Sequence, residues 1–308
     1  MVRNEADIIE AFIRHNLTVL DGLAIVDHGS MDGTSEILAA LVTEGLPVAV
    51  SRDDSVGYHQ SEITTRLVRQ VLARTPADFV FVIDADEFLK VRSRPLLDHV
   101  LHGLAPGLHA VIAWQTYVPN FASAQPDDDV RKCIAGARRV ATDRHGLYKV
   151  VVARHFAQSP AAVIPMGNHL VFPSPEGIVP GQSNPHGRIA PDVVALAHLP
   201  VRSRGQFTAK VAIGWLGTLA GRAVPADAAY HWRQEYEELA AGKALTPERL
   251  TAIAANYSLR KSDWHAPEMV ALVDDPFLAP MELRYTHLGR LDPLPLVLAF
   301  AAKMATGR

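Results

Sequence analysis

The chain has little cysteine, little net charge and no long apolar run. Cys133 is the only cysteine among 308 residues, which excludes an intramolecular disulfide and a cysteine-rich zinc site. The net charge of −3 gives no reason to expect nucleic acid as a partner. No apolar stretch reaches the ~20 residues that cross a bilayer, and we find no signal-peptide pattern. These absences favour a globular protein of the reducing cytoplasm.

Glycine is absent from residues 1–20. A dinucleotide-dependent oxidoreductase carries G-x-G-x-x-G directly after its first strand. A nucleotidyltransferase carries a glycine-rich phosphate loop early in its chain. The sequence therefore disfavours both classes.

The apolar stretch closest to a membrane span, Leu291–Met304, is interrupted by Pro293 and Pro295. It predicts a short helix whose apolar residues pack in the core, namely Leu296, Val297, Leu298, Phe300 and Ala301. A peripheral contact of this C-terminal helix with the inner face of a membrane stays open as the alternative.

Strands and helices alternate along the first hundred residues. The spacing of apolar residues predicts helices over Glu5–Leu20, from Gly33 to about Leu41 and over Ser61–Ala73. Short apolar runs predict strands at Leu23–Val26, Val48–Val50 and Phe79–Ile83, with Met1-Val2 as the end of a further strand. This alternation is typical of the α/β class, with a mostly parallel sheet flanked by helices.

The pattern becomes helical beyond about residue 206. Helices are predicted at Phe207–Leu219, Ala226–Ala241 and Pro247–Asn256. No linker composition separates them from the sheet. We therefore predict a catalytic domain over residues 1–210 and a C-terminal helical elaboration over residues 211–308.

The predicted strand Phe79–Ile83 stops abruptly on three carboxylates, Asp84, Asp86 and Glu87. In open α/β sheets, ligands bind at the carboxyl ends of the strands. Carboxylates this close repel one another unless a cation neutralises them, and Mg²⁺ or Mn²⁺ suits such oxygen ligands. A metal site is therefore expected here, and a solvated acidic turn is the simpler alternative.

Two other strand ends carry polar residues, Arg3-Asn4-Glu5 and Asp27-His28. Because parallel strands share one carboxyl edge, these residues are expected to converge with the three carboxylates on one rim. A basic stretch further along could screen a bound diphosphate, although a solvated basic face is the simpler interpretation. Its members are Arg131, Lys132, Arg138, Arg139, Arg144, Lys149 and Arg154.

Three ordered motifs resemble the family-2-like glycosyltransferases of GT-A fold, in the branch with a D-x-D-E-F signature. They are Met1–Glu5, Val26–Thr34 (Val-Asp-His-Gly-Ser-Met-Asp-Gly-Thr) and Asp84–Phe88. The segment Ala197–Lys210 resembles that branch's later H-x-P-x-R-S segment. The resemblance implies metal-dependent transfer of a sugar from a nucleotide diphosphate sugar to a hydroxyl of a glycan or lipid-linked acceptor. It also implies an inverting reaction in glycan or surface polysaccharide assembly.

The resemblance also implies roles for single residues. Asp27 and His28 match the position that contacts the nucleotide base, and Asp84 the position that faces the ribose or the metal. Asp86 would bind the metal that bridges the diphosphate, and His198 would complete the metal site. The other residues expected to bind the nucleotide sugar are Arg3, Asn4, Glu5, Gln60, Arg202 and Lys210.

An inverting reaction needs a general base that deprotonates the acceptor hydroxyl. His169, Glu176 and Asp192 are candidates, and no motif selects one of them. We expect His169 to lie near the acceptor, with a hydrogen-bonded structural histidine as the alternative, and Glu87 to support catalysis beside the metal.

Two other functions are kept as alternatives, although the missing glycine-rich loop disfavours the first. A nucleotidyltransferase would share the sheet, the metal and the nucleotide. A non-catalytic nucleotide- or sugar-binding protein would keep the fold and lose the dependence on metal, yet all three acidic residues are present.

Overall fold

The computed structural model describes residues 1–122, 130–143, 146–178, 183–221, 229–257, 259–278, 281–290 and 292–306. Arg144 and Leu291 lie outside these ranges, as does the start of the helix predicted over Ala226–Ala241.

The described residues form nine α-helices and ten β-strands. The helices are α1 Ile9–Asn16, α2 Thr34–Thr43, α3 Gln60–Arg74, α4 Arg94–His102, α5 Val130–Ala135, α6 Arg204–Ala220, α7 Tyr230–Ala240, α8 Pro247–Ala255 and α9 Pro293–Thr306. The strands are β1 Leu23–Asp27, β2 Val48–Arg52, β3 Phe79–Phe81, β4 Glu87–Val91, β5 His109–Val118, β6 Arg138–Val140, β7 Tyr148–Ala153, β8 His186–Arg188, β9 Val194–His198 and β10 Leu272–Val273. The predicted domain boundary after residue 210 falls within α6.

A small sheet is formed by β1 and β2, which pair in parallel. Val2 extends it through one parallel bridge to Asp27, in which the Val2 N–H donates to the Val26 carbonyl at 2.8 Å. This sheet carries the Arg3–Glu5 segment and Asp27-His28 at its carboxyl edge.

A larger sheet is built around the long strand β5. It pairs in parallel with β8 and β9, and antiparallel with β6 and β7. The strands β4 and β3 add antiparallel to β9 and β7, respectively. The α/β class and the flanking helices are confirmed, and the larger sheet is mixed.

The strand expected over Phe79–Ile83 is shorter and less buried than the sequence indicated. It covers Phe79–Phe81, all three residues are half-buried, and its described partner is the antiparallel β7. A second strand, β4, starts at Glu87, so that the acidic motif forms a tight turn between two strands.

Buried apolar faces join the helices to the sheets. Ile9, Phe12 and Ile13 of α1 share one core cluster with Ile25 of β1 and Phe88 of β4. This cluster holds the acidic turn against the end of the small sheet.

The C-terminal helix α9 packs against α6 through Leu296 and Phe300. The prediction that Leu298 and Ala301 pack in the core is wrong, because Leu298 is 60% exposed and Ala301 is exposed too. Within the described ranges, no helix is long and apolar enough to cross a membrane.

Candidate metal and nucleotide site

The acidic turn is closed by two hydrogen bonds between its own residues. The Glu87 N–H donates to the Asp84 carbonyl at 3.1 Å, and the Asp84 N–H donates to Glu87 Oε2 at 2.8 Å. Asp86 and Glu87 are 4% and 0% exposed, whereas 29% of the Asp84 side chain is exposed. The turn therefore buries two carboxylates and presents the third towards solvent.

A buried lysine from β7 pairs with two of these carboxylates. Lys149 is 2% exposed, and its Nζ contacts Asp84 and lies 3.0 Å from Glu87 Oε1. Burial acts to lower the pKa of Lys149, but Asp84 and Glu87 outweigh it and raise this pKa above its ordinary value. The expectation of a solvated basic face is wrong for this residue.

Asp86 is surrounded by groups that favour its charge. Lys210 Nζ lies 2.6 Å from Asp86 Oδ2, and Arg202 Nη1 lies 3.9 Å from the same oxygen. Burial alone would raise the pKa of Asp86, but Lys210, His198 and Arg202 outweigh it, so the pKa lies well below its usual range. Asp86 is an ionised carboxylate at neutral pH.

His198 ends β9 directly opposite Glu87. Its Nε2 lies 3.7 Å from Asp86 Oδ1, the oxygen that Lys210 leaves open. Burial lowers the pKa of His198 to about 4, so that the imidazole is neutral and able to bind a metal at neutral pH. Its Nδ1 is buried and has no hydrogen-bond partner in the described part of the chain.

These groups fit a divalent cation. One ligand atom from each of Asp86, Glu87 and His198 lies within 4.8 Å of the others. Carboxylate oxygen and neutral imidazole together suit Mn²⁺. Asp84 is not part of this triplet. Its oxygens accept from Lys149 and, at 3.4 and 3.3 Å, from the amides of Gln60 and Asn168.

Arg202 links the acidic turn to the amino-terminal segment. Its Nε and Nη2 donate to the two carboxylate oxygens of Asp7 at 2.6 and 2.9 Å, and Nη2 donates to Glu5 at 2.5 Å. The Arg202 side chain is 1% exposed. Arg202 thus uses its fork on the protein's own carboxylates, and Glu5 is likewise engaged within the protein.

The charges of the site do not balance. Three permanent cations, Lys149, Arg202 and Lys210, face five carboxylates, those of Glu5, Asp7, Asp84, Asp86 and Glu87. Burial raises the pKa of Glu5 to about 7 and that of Glu87 to about 8. The excess negative charge can be relieved by protons on these groups or by one divalent cation.

The residues on the small sheet are bonded mainly to one another. Arg3 donates through Nε to the His28 carbonyl at 2.7 Å, and its Nη2 lies 2.9 Å from the His28 ring. Burial lowers the pKa of His28 to about 3. Asp27 accepts from the Ser30 N–H at 3.0 Å and from the Ser35 hydroxyl. Asp27 and His28 are 2% and 0% exposed.

The Asn4 side chain is also hydrogen-bonded within this part of the protein. It adopts φ 56°, and its Oδ1 accepts from the Met31 N–H at 2.8 Å. Its buried Nδ2 has no hydrogen-bond partner within the described residues. That amide is the free donor of this segment.

A turn at 167–169 reaches the acidic residues. The Gly167 N–H donates to Gln60 Oε1 at 2.9 Å, and Asn168 contacts Asp84. His169 donates from Nδ1 to the Tyr148 carbonyl at 2.7 Å, and its ring lies 6.1 Å from that of Trp114. Trp114 in turn packs on His198 with ring centroids 4.0 Å apart. The Trp114 ring therefore lies between His169 and His198, the candidate metal ligand.

The other base candidates lie on the surface. Asp192 pairs loosely with Arg92 at 4.0 Å and is 73% exposed. Because Val194 is paired with Val91, Asp192 lies at the end of β4 opposite to Glu87. Glu176 is also exposed.

The sequence analysis named Lys149 only as one member of a basic stretch, and it missed three further residues of this site. Lys149 interrupts the apolar strand Tyr148–Ala153, which is the signal that a buried cation gives. Asn168, Trp114 and Tyr257 left no such signal. The Tyr257 ring lies 5.3 Å from that of His198 and 5.5 Å from Lys210 Nζ.

No protein-family model matches this sequence, and neither does any curated protein. Solved structures that match include a mannosyltransferase, PcManGT, from Pyrobaculum calidifontis in complex with GDP-Man and Mn²⁺. That match has 14% identity and a TM-score of 0.37 and covers 99% of this chain and 85% of the other. Staphylococcus aureus TarS matches at 10% identity and a TM-score of 0.35, over 85% of this chain, which spans 45% of TarS. At these scores the likeness carries no argument about the activity of this chain.

Proposed function

We propose that the chain is a metal-dependent glycosyltransferase that moves a sugar from a nucleotide diphosphate sugar to an acceptor hydroxyl. The observation that carries the proposal is the buried acidic turn, where Asp86 and His198 present an oxygen and a nitrogen to each other at 3.7 Å. The three motifs that resemble family-2-like glycosyltransferases supply the reaction class.

Asp86 and His198 would hold Mn²⁺ or Mg²⁺, with Glu87 next to them. A cation there would stabilise the negative charge that develops on the leaving diphosphate. Lys210 and Arg202 keep Asp86 ionised before the cation arrives. Gln60 and Asn168 hold Asp84 at the mouth of the turn, where it faces solvent and can meet the ribose or the metal.

The remaining roles form part of the same proposal. Asp27, His28, Arg3 and Asn4 would form the base side of the donor site, and the free Asn4 amide is a donor suited to a nucleobase. His169 would serve the acceptor side. We further propose an inverting reaction on a glycan or lipid-linked acceptor, carried out in the cytoplasm by residues 1–210.

The test is calorimetric titration of UDP and of GDP, each with and without Mn²⁺. We expect one nucleotide to bind tightly with Mn²⁺ and at least tenfold more weakly without it, because the unscreened carboxylates repel a diphosphate. In the Asp86→Ala variant, Mn²⁺ should no longer strengthen binding, so the nucleotide should bind weakly with and without the metal. The matched control is Asp192→Ala, which removes an exposed carboxylate from the far end of β4 and should leave binding unchanged.

A second candidate is a non-catalytic nucleotide-binding protein. It is favoured by Lys149 and Lys210, which already occupy the positions of cations beside Asp84 and Asp86. Such a protein would bind a nucleotide equally well with and without Mn²⁺. That outcome, or binding that survives Asp86→Ala, would overturn the metal-dependent transferase.

A further inference from the structure

Helix α9 lies against the base side of the proposed nucleotide site. The guanidinium carbon of Arg3 lies 5.1 Å from the centroid of the Phe300 ring. The Nη2 atom of Arg3 lies 2.9 Å from the imidazole of His28. A Cβ atom added to Gly29 would lie 3.0 Å from Lys303 Nζ. Two side chains of α9 therefore reach Arg3 and Gly29, which both lie next to His28.

A small apolar interface holds α9 in this position. Its two buried residues are Leu296 and Phe300. They form one cluster with two residues of α6, and the partly buried Met31 and Val56 pack against that cluster. Leu298, on the opposite face of the helix, is exposed. Because hydrophobic stabilisation grows with buried apolar area, a helix with two buried side chains can detach without unfolding of the core.

The base side is closed in this arrangement. Asp27 and His28, which are expected to contact the base, are both buried. His28 contacts Arg3, which is held in turn by Phe300. A nucleobase must come within ~3 Å of a polar atom to form a hydrogen bond with it. A base that binds at His28 therefore displaces Arg3, and this displacement breaks the contact between Arg3 and α9.

The segment that precedes α9 is fastened by contacts of its own. The Arg290 N–H donates to the Asp32 carbonyl at 2.6 Å. The Glu10 carboxylate accepts from two further backbone N–H groups, those of Arg284 and Tyr285, at 2.8 Å each. These hydrogen bonds do not involve α9. The helix can therefore leave α6 while the segment before it stays in place.

We infer that α9 is a cover over the base side of the donor site, and that it leaves α6 and Arg3 when a nucleoside diphosphate binds. The inference rests on the proposed function, because that function assigns the covered residues to the nucleotide. The apparent affinity for the nucleotide is then reduced in proportion to the fraction of molecules in which α9 is detached. By reciprocity, a bound nucleotide favours the detached helix to the same extent. The contact between α9 and Arg3 is thus autoinhibitory.

The test uses a double variant, Leu296→Ser with Phe300→Ser, which removes the two buried contacts of α9. The matched control is Leu298→Ser, which is the same change on the exposed face of the same helix. The affinity is measured by calorimetric titration of UDP and of GDP in the presence of Mn²⁺. A minor conformation of this kind is populated at about 0.1–10%. We therefore expect the double variant to bind the nucleotide at least roughly tenfold more tightly than the wild type, and the control to bind it as the wild type does.

A second measurement needs no substitution, and it follows hydrogen exchange of single amides in the wild type. With the nucleotide and Mn²⁺ bound, the amides of Phe300 and Ala301 in the middle of α9 should exchange faster. The physical reason is that a detached helix of this length is marginally stable in water. The Leu199 amide, which donates to the Asp86 carbonyl at 2.9 Å, is the internal control and should not exchange faster.

Four outcomes would overturn the inference. Equal affinity in the wild type and the double variant, with the dependence on Mn²⁺ intact, would show that α9 covers nothing that the ligand needs, and the proposed function would stand. Weaker binding by the double variant would make α9 a fixed wall of the site. Unchanged or slower exchange in α9 on nucleotide binding would contradict a cover even if the double variant failed to fold. If neither nucleotide binds to the wild type or to the double variant, the proposed function fails and the cover fails with it.

Discussion

The two halves of the proposed site are built in opposite ways. Around the acidic turn, ionisable groups from β4, β7, β9 and α6 are buried together, and carboxylates outnumber cations. Around Asp27 on the small sheet, the side-chain oxygens accept hydrogen bonds from Ser30 in the turn that follows and from Ser35 at the start of α2. The first region needs protons or a cation to offset its excess of carboxylates, whereas the second satisfies most of its own groups.

This difference separates two kinds of burial. Buried charge costs free energy unless it is paired, so an unbalanced cluster is expected where a charged ligand completes it. An internally bonded turn orders the backbone and stabilises the fold whether or not a ligand is present. We therefore expect substitutions near the acidic turn to have effects that depend on metal, and substitutions near Asp27 to have effects that do not.

The largest expected effect is that of Lys149→Met. It leaves the buried Glu87 and the partly exposed Asp84 without their cation. Breaking a buried ion pair from one side costs about 3–5 kcal/mol, and we expect the lower end of this range because Glu87 takes up a proton at pH 7. Urea denaturation at pH 7 should show this loss in the free energy of unfolding, and Mn²⁺ should recover part of it. Lys243→Met, at a side chain that is 61% exposed, is the control. A loss below about 1 kcal/mol would contradict the central role given to Lys149.

The next effect tests the link between the two regions. Arg202→Lys keeps the charge but removes the fork that binds Asp7 through two hydrogen bonds. We expect a loss of about 1.5–3 kcal/mol in the free energy of unfolding, the range for hydrogen bonds to charged groups. Metal-dependent nucleotide affinity should fall as well, because Arg202 also holds Glu5. Arg138→Lys, at an exposed side chain, is the matched control. An unchanged nucleotide affinity in Arg202→Lys would show that the acidic turn and the amino-terminal segment act independently.

The third effect is a dependence on pH. The pKa of Glu87 rises from 4.5 to about 8 on folding, so between these values the folded state binds more protons than the unfolded state. The contribution of Glu87 is therefore present at low pH and is lost as pH rises towards 8, at about 1.4 kcal/mol per pH unit.

Comparison with Glu87→Gln isolates this contribution from the other titrating groups. Over pH 5–7.5, the free energy of unfolding of the variant should fall less steeply with rising pH, or rise more steeply, by about 1.4 kcal/mol per pH unit. Denaturation at four pH values measures both slopes. Parallel curves would show that Glu87 is charged in the folded state throughout. Mn²⁺ should stabilise the wild type more at pH 8 than at pH 6, since protons no longer compete with it.

The alternating first part of the chain could be predicted from the sequence because local patterns determine it. Apolar spacing predicted α1 and α3, and the polar residues at the end of β1 and after β3 pointed to Asp27 and Asp86, whose roles stay predictions. The sequence could not show that β4 follows the acidic motif, because Glu87–Val91 contains Glu, Lys and Phe in no clear alternation.

Long-range pairing accounts for the rest. Lys149 reaches Asp84 across 65 residues, and Arg202 reaches Asp7 across 195. A single sequence carries no record of which distant charges meet. The excess of carboxylates, which is the strongest feature of the site, could therefore be seen only in three dimensions.

The smallest expected effect is that of Ser35→Ala on the small sheet. It removes the hydroxyl that donates to Asp27, and Asp27 then keeps the Ser30 N–H and the more distant Arg52 as partners. The expected loss is about 0.5–1.5 kcal/mol in the free energy of unfolding, the net value of one hydrogen bond. Denaturation with and without Mn²⁺ should give the same loss, because this turn is satisfied within the protein. Thr43→Ala, at an exposed helix position, is the control and should stay within about 0.5 kcal/mol of the wild type. If the loss at Ser35 doubled in the presence of Mn²⁺, Asp27 would belong electrostatically to the metal region, and the distinction between a charged half and a satisfied half would fail.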